Sequence, residues 1–273
     1  MRTEDVRKAE VMFDDDTHHS VEALSKTIGY SPAHLRRVFK RQFGVSPAKY
    51  RSTRRLEQAA LLLRYTSDKV SAIASQTSHG SPAIFTRAFC GHYHMSPSAY
   101  RRAHASGDGR QPASSITVNI GYELPRTFLV TRAYGSEILP EVAKGWHYFC
   151  QRSRMTREAH AHARPAILFR DHPVTTPRER LRVEYGYLIA HPEDHLRIPS
   201  HFDYRHKPAT LIASLIVHQE SRIVPYLEWM IARGIQRSGL SITGEPAAAI
   251  WLEGLPGMSQ AVIKLSIPCR QSI

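Results

Sequence analysis

A segment of 21 residues occurs twice in this chain, fifty residues apart. Ser31–Arg51 (SPAHLRRVFKRQFGVSPAKYR) returns as Ser81–Arg101 (SPAIFTRAFCGHYHMSPSAYR), with nine of the 21 aligned positions identical. Upstream, Val21, Ala23 and Leu24 are answered by Val70, Ala72 and Ile73. A repeat at this period is a duplicated supersecondary unit. Its punctuation describes a pair of helices joined by a tight turn.

In the first copy Ser20 is placed to cap a helix with Val21, Leu24 and Ile28 on one face. Gly29 supplies the turn, where a left-handed residue is inexpensive. Ser31 caps the next helix, with Pro32 at its first position, where the missing N–H is no loss. Leu35, Val38 and Phe39 form its inward stripe. A turn of 100° per residue then directs Ala33, Arg36, Arg37, Lys40 and Arg41 outward, a largely cationic face shaped for a major groove.

The second copy repeats the scheme, with Ser81 and Pro82 as the cap and Phe85, Ala88 and Phe89 inward. Ala83, Thr86 and Arg87 point outward. It is the weaker reader, because Cys90 and Gly91 replace Lys40 and Arg41. Ser78 takes the place of the turn glycine, with Gly80 as an extra residue nearby. His94 stands where the first copy has Gly44; a left-handed helix end there costs about 1 kcal/mol relative to glycine.

Between the copies, Ser46-Pro47 opens an amphipathic helix running to Tyr65, with Leu56, Ala59, Ala60 and Leu63 on its apolar side. It spans about 28 Å at 1.5 Å per residue, close to one duplex turn of about 34 Å. Such a spacer holds two recognition helices in neighbouring major grooves. Arg51, Arg54 and Arg55 at its start are placed for phosphates.

Charge agrees with this assignment. Residues 17–105 carry 14 Lys/Arg against 3 Asp/Glu, whereas the first sixteen residues carry 3 against 6. Basicity concentrated on one module is the footprint of nucleic-acid binding.

Residues 17–104 resemble the AraC/XylS-type DNA-binding domain, in which each half closes with a Gly-x-Ser-Pro-x-x-Tyr-Arg pattern. Here the pattern reads Gly44-Val45-Ser46-Pro47-Ala48-Lys49-Tyr50-Arg51, then His94-Met95-Ser96-Pro97-Ser98-Ala99-Tyr100-Arg101. The resemblance implies base contacts from Ala33, Arg36 and Arg37, then Pro82, Ala83 and Arg87. The alanines offer at most a methyl contact to thymine. The arginines supply hydrogen-bonded readout, most often of guanine.

At 273 residues, two domains are expected. The Gly/Ser/Pro stretch Ala105–Ser115 (ASGDGRQPASS) has linker composition, which gives a domain at 1–105, a linker at 106–115 and a second domain at 116–273. No apolar run approaches a membrane span, and the N-terminus does not read as a signal peptide. Cys90, Cys150 and Cys269 are few and scattered, as expected of a cytoplasmic protein without disulfides.

Beyond the linker, strands take over. Strand patterns at Arg126–Ala133, Pro165–Arg170 and Leu181–Ala190 accompany a helix pattern at Glu137–Gln151. The same order returns as strand Ala209–Val217, helix Ile223–Arg237, and strands Ala248–Leu252 and Ala261–Pro268. The expected fold class is α+β: an all-α double helix-turn-helix domain, then a duplicated β-α-β-β domain with a cleft between its halves.

This second half resembles the GyrI-like effector-binding domain through Leu181–Tyr187, the Trp-bearing helix before Ser238-Gly239, Gly244–Leu252 and Leu265–Pro268. The combination is similar to the Rob-type arrangement of bacterial regulators and implies a small-molecule effector. Such domains often carry a buried, cation-pairing glutamate two residues before the strand aromatic; here Ala249 precedes Trp251. An acidic residue remains at Glu184. Periodicity alone makes Trp146, Tyr187, Trp229 and Trp251 core residues, while the resemblance makes them and Glu184 candidates to line a ligand cleft. Without the glutamate, that cleft would favour a neutral or weakly polar, largely apolar ligand stacked near Trp251 and Trp229, with Glu184 peripheral or absent from contact.

Eight of the sixteen histidines fall in the pairs His18-His19, His92/His94, His160/His162 and His191/His195, none with a metal-site spacing. No cofactor and no catalytic residue is expected. Expected partners are double-stranded DNA across two adjacent major grooves, RNA polymerase and a small-molecule effector, with no membrane and one chain per DNA site. Two other functions stand beside transcription regulation: the second domain as a small-molecule hydrolase, or as a ligand-free docking module.

Overall fold

The computed structural model describes residues 3–15, 20–104, 116–135, 146, 163–173, 175–189 and 202–272. The chain forms two compact units, residues 1–60 with 69–101, and residues 61–68 with 102–273. The first is helical and the second is built on an antiparallel sheet, so the protein is a two-domain α+β chain.

The helices are α1 (Thr3–Asp15), α2 (Val21–Thr27), α3 (Pro32–Phe43), α4 (Pro47–Tyr65), α5 (Val70–Gln76), α6 (Pro82–Tyr93) and α7 (Pro97–His104). The caps are those the sequence predicts. Ser20 Oγ accepts from the Ala23 N–H at 3.0 Å, and Ser31 and Ser81 accept from His34 and Ile84, each at 3.3 Å. Ser46 and Ser96 accept from Lys49 and Ala99, so each Ser-Pro step ends one helix pair and starts the next helix. The closing tyrosines explain the rest of the motif. Tyr50 packs on Phe39 and Phe43 with ring centroids 5.4 and 5.5 Å away, and Tyr100 repeats this on Phe89 and Tyr93 at 5.4 and 5.1 Å. Each tyrosine locks the following helix against its recognition helix.

The turns differ between the copies. Gly29 and Gly44 have φ near +74°, which glycine tolerates, whereas Ser78 and His94 adopt +55° and +57° in the second copy. The left-handed residue in the second turn is therefore Ser78 itself.

Helix α1 is absent from the sequence reading, which places the acidic residues Asp14–Asp16 ahead of the first helix. Val6, Ala9 and Phe13 close the core formed by Leu24, Leu35 and Phe39. Tyr30 Oη donates to Asp5 at 2.9 Å, and Tyr50 Oη donates to the buried Glu10.

The strands of the second unit are β1 (Asn119–Glu123), β2 (Arg126–Tyr134), β3 (Arg164–Phe169), β4 (Arg182–Ile189), β5 (Asp203–Lys207), β6 (Thr210–Val217), β7 (Leu240–Ile242), β8 (Ala247–Glu253) and β9 (Val262–Gln271). They form an antiparallel sheet in the order β1-β6-β9-β8-β3-β4-β2-β5, with β7 also pairing with β9. The two predicted repeats are its two halves: β6-β9-β8 meets β3-β4-β2 at the central β8–β3 pair. The predicted helix Glu137–Gln151 lies outside the described residues except for Trp146, which is helical and buried. Its counterpart is α8 (Ile223–Trp229), continued by a wider π turn, Met230–Gly234, in which the Ile235 N–H reaches back to the Met230 carbonyl.

Strands β1, β5 and β7 are additions to the predicted set, and β1 and β5 exchange halves. β1 precedes β2 in the chain but pairs with β6; β5 precedes β6 but pairs with β2. Only two residues join β1 to β2 and two join β5 to β6, although each pair lies toward opposite ends of the sheet. Connections that short require the sheet to curl until its edges approach, as in a half-barrel.

Candidate nucleic-acid interface and ligand cavity

On α3 the outward residues Ala33, Arg36, Arg37, Lys40 and Arg41 are all exposed, while Leu35, Val38 and Phe39 are buried. Arg36 meets Glu22 in a solvent-exposed ion pair, and Arg37 lies 3.0 Å from His34 Nδ1. Exposed pairs of this kind contribute little to stability, so both guanidiniums can exchange partners at small cost.

On α6, Pro82, Ala83 and Arg87 are exposed and Thr86 is half-buried. Ile84, which the sequence reading leaves out, is 58% exposed beside Ala83. The outward surface of α6 is thus small and apolar around one arginine. Position relative to Phe85 could have flagged Ile84, since it lies on the flank of the helix rather than its inner face.

Of the three arginines expected at phosphates, Arg54 and Arg55 have separate surroundings. Arg54 pairs with the buried carboxylate of Glu57, its side chain only 14% exposed. Arg55 is half-buried and donates through Nη1 to the Ser78 carbonyl at 3.1 Å. Arg54 is committed to the fold, whereas Arg55 stands at the edge of a hollow beside the second helix pair.

In the second unit, strand alternation sorts the predicted ligand residues onto two faces. Glu184 lies opposite Arg132 and Leu168 and shares the inner face with Phe128, Val130, Ala248 and Ile250. It is fully buried, and its Oε1 accepts from Arg132 Nε and Nη2 at 3.1 and 2.6 Å and from Arg205 Nε and Nη2, both at 3.1 Å. Burial alone would raise its pKa. The guanidiniums of Arg132, Arg170 and Arg205 outweigh that and hold the carboxyl well below the usual range.

Ala249 and Trp251 occupy the opposite face. Ala249 is buried between Ile167 and Leu265, so Glu184 cannot serve as a substitute acid at that place. Trp146 stacks on Trp251 with centroids 6.5 Å apart and meets Tyr187 edge-on at 5.3 Å. Trp251 Nε1 donates to Glu220 at 3.2 Å. The structure therefore brings together Trp146, Tyr187 and Trp251. Trp229 is buried elsewhere, close to Gly234, where an added Cβ would come within 3.2 Å of its ring.

A cavity of about 70 Å³ lies between α8 and the sheet face that carries Ala249. Phe169, Leu181, Val183, Leu227, Ile231 and Ile267 give it an apolar lining, and Arg170, Asp171, His172, Glu228 and Glu245 add polar groups. Burial holds His172 down to about 4, so it is neutral at physiological pH, and burial raises Glu228 above the usual carboxylate range. None of the five predicted ligand residues lines this space. Its residues come from six separate segments, several of them within the stretches that carry the resemblance to the GyrI-like domain.

Among the described residues, no group of three or more His, Cys, Asp and Glu could hold a metal ion, and no helix is long and apolar enough to cross a membrane. Cys90 is half-buried, Cys269 is buried, and Cys150 lies outside the described residues.

A family profile described as a helix-turn-helix domain matches residues 24–103. The lactose operon transcription activator of Staphylococcus xylosus is 34% identical over 94 residues, 34% of this chain and 33% of that protein. The uncharacterized regulator YbfP of Bacillus subtilis is 39% identical over 82 residues, 30% of this chain and 28% of its own length. The chain thus spans about a third of the length of the curated relatives it matches. Among solved structures, an AraC-type regulator of Chromobacterium violaceum is 25% identical with a TM-score of 0.35, covering 37% of this chain and 92% of that one. The EcmrR C-terminal domain is 10% identical with a TM-score of 0.39, covering 58% and 99%. With the capped helix pairs and the family profile in agreement, residues 24–103 are a helix-turn-helix domain.

Proposed function

We propose that the chain is a sequence-specific transcription regulator whose second unit receives a small molecule. The observation that carries this reading is the outward face of α3, where every predicted base- or phosphate-facing residue is exposed on a capped helix. Arg36 and Arg37 read bases in one major groove. Ala33, Pro82, Ala83, Thr86 and Arg87 shape contacts to the groove floor, and Lys40 and Arg41 reach the backbone. One chain occupies an asymmetric site, with both readers on the same DNA face, and contacts RNA polymerase there.

For the effector, the alternation of β4 and β8 supports an uncharged ligand, since the carboxylate of Glu184 lies on the face away from Ala249, where its Oε1 accepts from Arg132 and Arg205. The ligand enters the apolar space beneath α8 or stacks on the Trp146, Tyr187 and Trp251 cluster. The cavity is small, so a drug-sized ligand must move α8, whose π turn is a local departure from regular helix.

Selection of bound duplexes from random DNA tests the regulator reading. Arg37→Ala should cost about 1–3 kcal/mol on the selected duplex and relax the preference at one end of the site. Equal affinity of the unaltered chain for selected and random duplexes would remove the claim of sequence specificity.

A further inference from the structure

The first unit holds a cationic hollow that adjoins the outward face of its second recognition helix at Pro82. It measures about 540 Å³ and opens at the start of α6. Arg51 and Arg55 of α4 line it together with Ser75, Ser78, His79 and Ser81, and no acidic residue stands in its wall among the described residues. The two arginines are held in place: the Arg51 guanidinium lies 5.4 Å from the centroid of the Phe13 ring, and Arg55 donates to the carbonyl of Ser78. Ser78 presents that carbonyl from a left-handed conformation that is costly for a residue with a side chain.

Electrostatics and position suit one kind of occupant. Arg55 is held below its ordinary pKa by burial and then by the charge of Arg51. His79 is held down by burial and then by Arg55. Like charges crowded in a half-buried hollow are relieved by an anion. The start of the twelve-residue α6 faces the same space, adding the positive end of its dipole. Contacts to DNA phosphates fix the register of a reading helix without specifying sequence, and a hollow at the first turn of α6 is placed for such a contact.

We propose that this hollow seats one DNA backbone phosphate, with Arg51 and Arg55 as its charge partners and the serine hydroxyls as further donors. The proposal rests on the DNA-binding reading above. It assigns α6, the helix with the poorer base-reading surface, an anchoring function carried by the turn that precedes it.

The test uses the full chain and places a carboxylate in the hollow. Ser75 is exposed, so Ser75→Glu and its neutral counterpart Ser75→Gln should fold alike, with circular dichroism and melting as the check. Ser75→Glu should bind selected and random duplexes at least about tenfold more weakly than Ser75→Gln. The slope of log K against log salt should fall by about one, with the ratio between the duplexes unchanged. Ethylating the operator phosphates one at a time should reveal one whose modification weakens the unaltered chain and Ser75→Gln but no longer matters to Ser75→Glu. Equal affinities of the two variants, or a changed base preference, would overturn the proposal. So would identical ethylation patterns, even if inorganic phosphate shifted the His79 ring resonances, because the hollow would then be a free-anion site. If the unaltered chain bound no duplex, the regulator reading itself would fall; a defect or pattern that fails to separate the two variants removes only the phosphate seat.

Discussion

Replacing Glu184 by glutamine removes one charge and almost no volume, and it should destabilise the second unit severely. The carboxylate is fully buried, and two guanidiniums whose side chains are 3% and 6% exposed converge on a single oxygen. Glutamine retains an acceptor there but leaves the positive charges without their main counter-charge; Asp203, at 3.7 Å from Arg205 and a third exposed, offers weak compensation. Breaking a buried pair in this way costs about 3–5 kcal/mol, a large part of the roughly 5–15 kcal/mol available to a domain. At about 2–4 °C per kcal/mol, melting should fall by roughly 6–20 °C. All three tryptophans lie in this unit, so their fluorescence follows its unfolding in the full chain. The charge has a pH signature. Because the folded pKa of Glu184 is depressed, its contribution is fully present above the ordinary carboxylate range and is lost as pH falls toward the lower folded value. Glu184→Gln should remove that part of the acid dependence. Replacing the whole cluster by Arg132→Met, Glu184→Met and Arg205→Met should restore much of the loss, since apolar substitution of a buried ion cluster is often neutral or better. A Glu184→Gln protein that melts with the unaltered chain, or a triple variant less stable than the single one, would refute this account.

Two further outcomes concern the backbone. Ser78→Gly and His94→Gly should each stabilise the first unit by about 1 kcal/mol, read by circular dichroism melting, because both residues hold φ near +55°; a lower melting temperature would show that the serine or histidine side chain contributes more than the strain costs. Gly186→Ala should cost about 3 kcal/mol or more, since its Cβ would fall 1.9 Å from the Leu129 carbonyl oxygen and 2.7 Å from the Val130 Cα. Tryptophan-monitored urea unfolding measures the latter, and an unchanged midpoint would mean that β2 and β4 can separate at no cost.

What was legible in the sequence was whatever is encoded locally. The Ser-Pro caps, the inward Leu35 and Phe39 stripe, the turn at Gly29 and the order of the six repeated strands are each written within a few neighbouring residues, and the structure places them accordingly. Helix α1 escaped because its apolar positions Val6, Ala9 and Phe13 sit in a stretch where acidic residues outnumber basic ones, six to three. Its partners, Tyr30 and Tyr50, lie up to forty positions away. Strands β1 and β5 escaped for a related reason. Each is five residues long and pairs with the opposite half of the repeat, with Ile120 opposite Ala213 and Tyr204 opposite Leu129, so neither strand's own pattern announces its partner. The same logic separates the two candidate sites. The face of α3 follows from a single 3.6-residue period. The space beneath α8 exists only once Phe169, Val183, Leu227 and Ile267 have been brought together from four distant segments. Glu184 shows the limit most clearly: sequence identified an acid on β4, but only the register with Arg132 and its alternation against Ala249 reveals that its charge is consumed inside the sheet. A carboxylate so enclosed ties β2, β4 and β5 together from within the sheet, which makes Glu184 a residue of the fold.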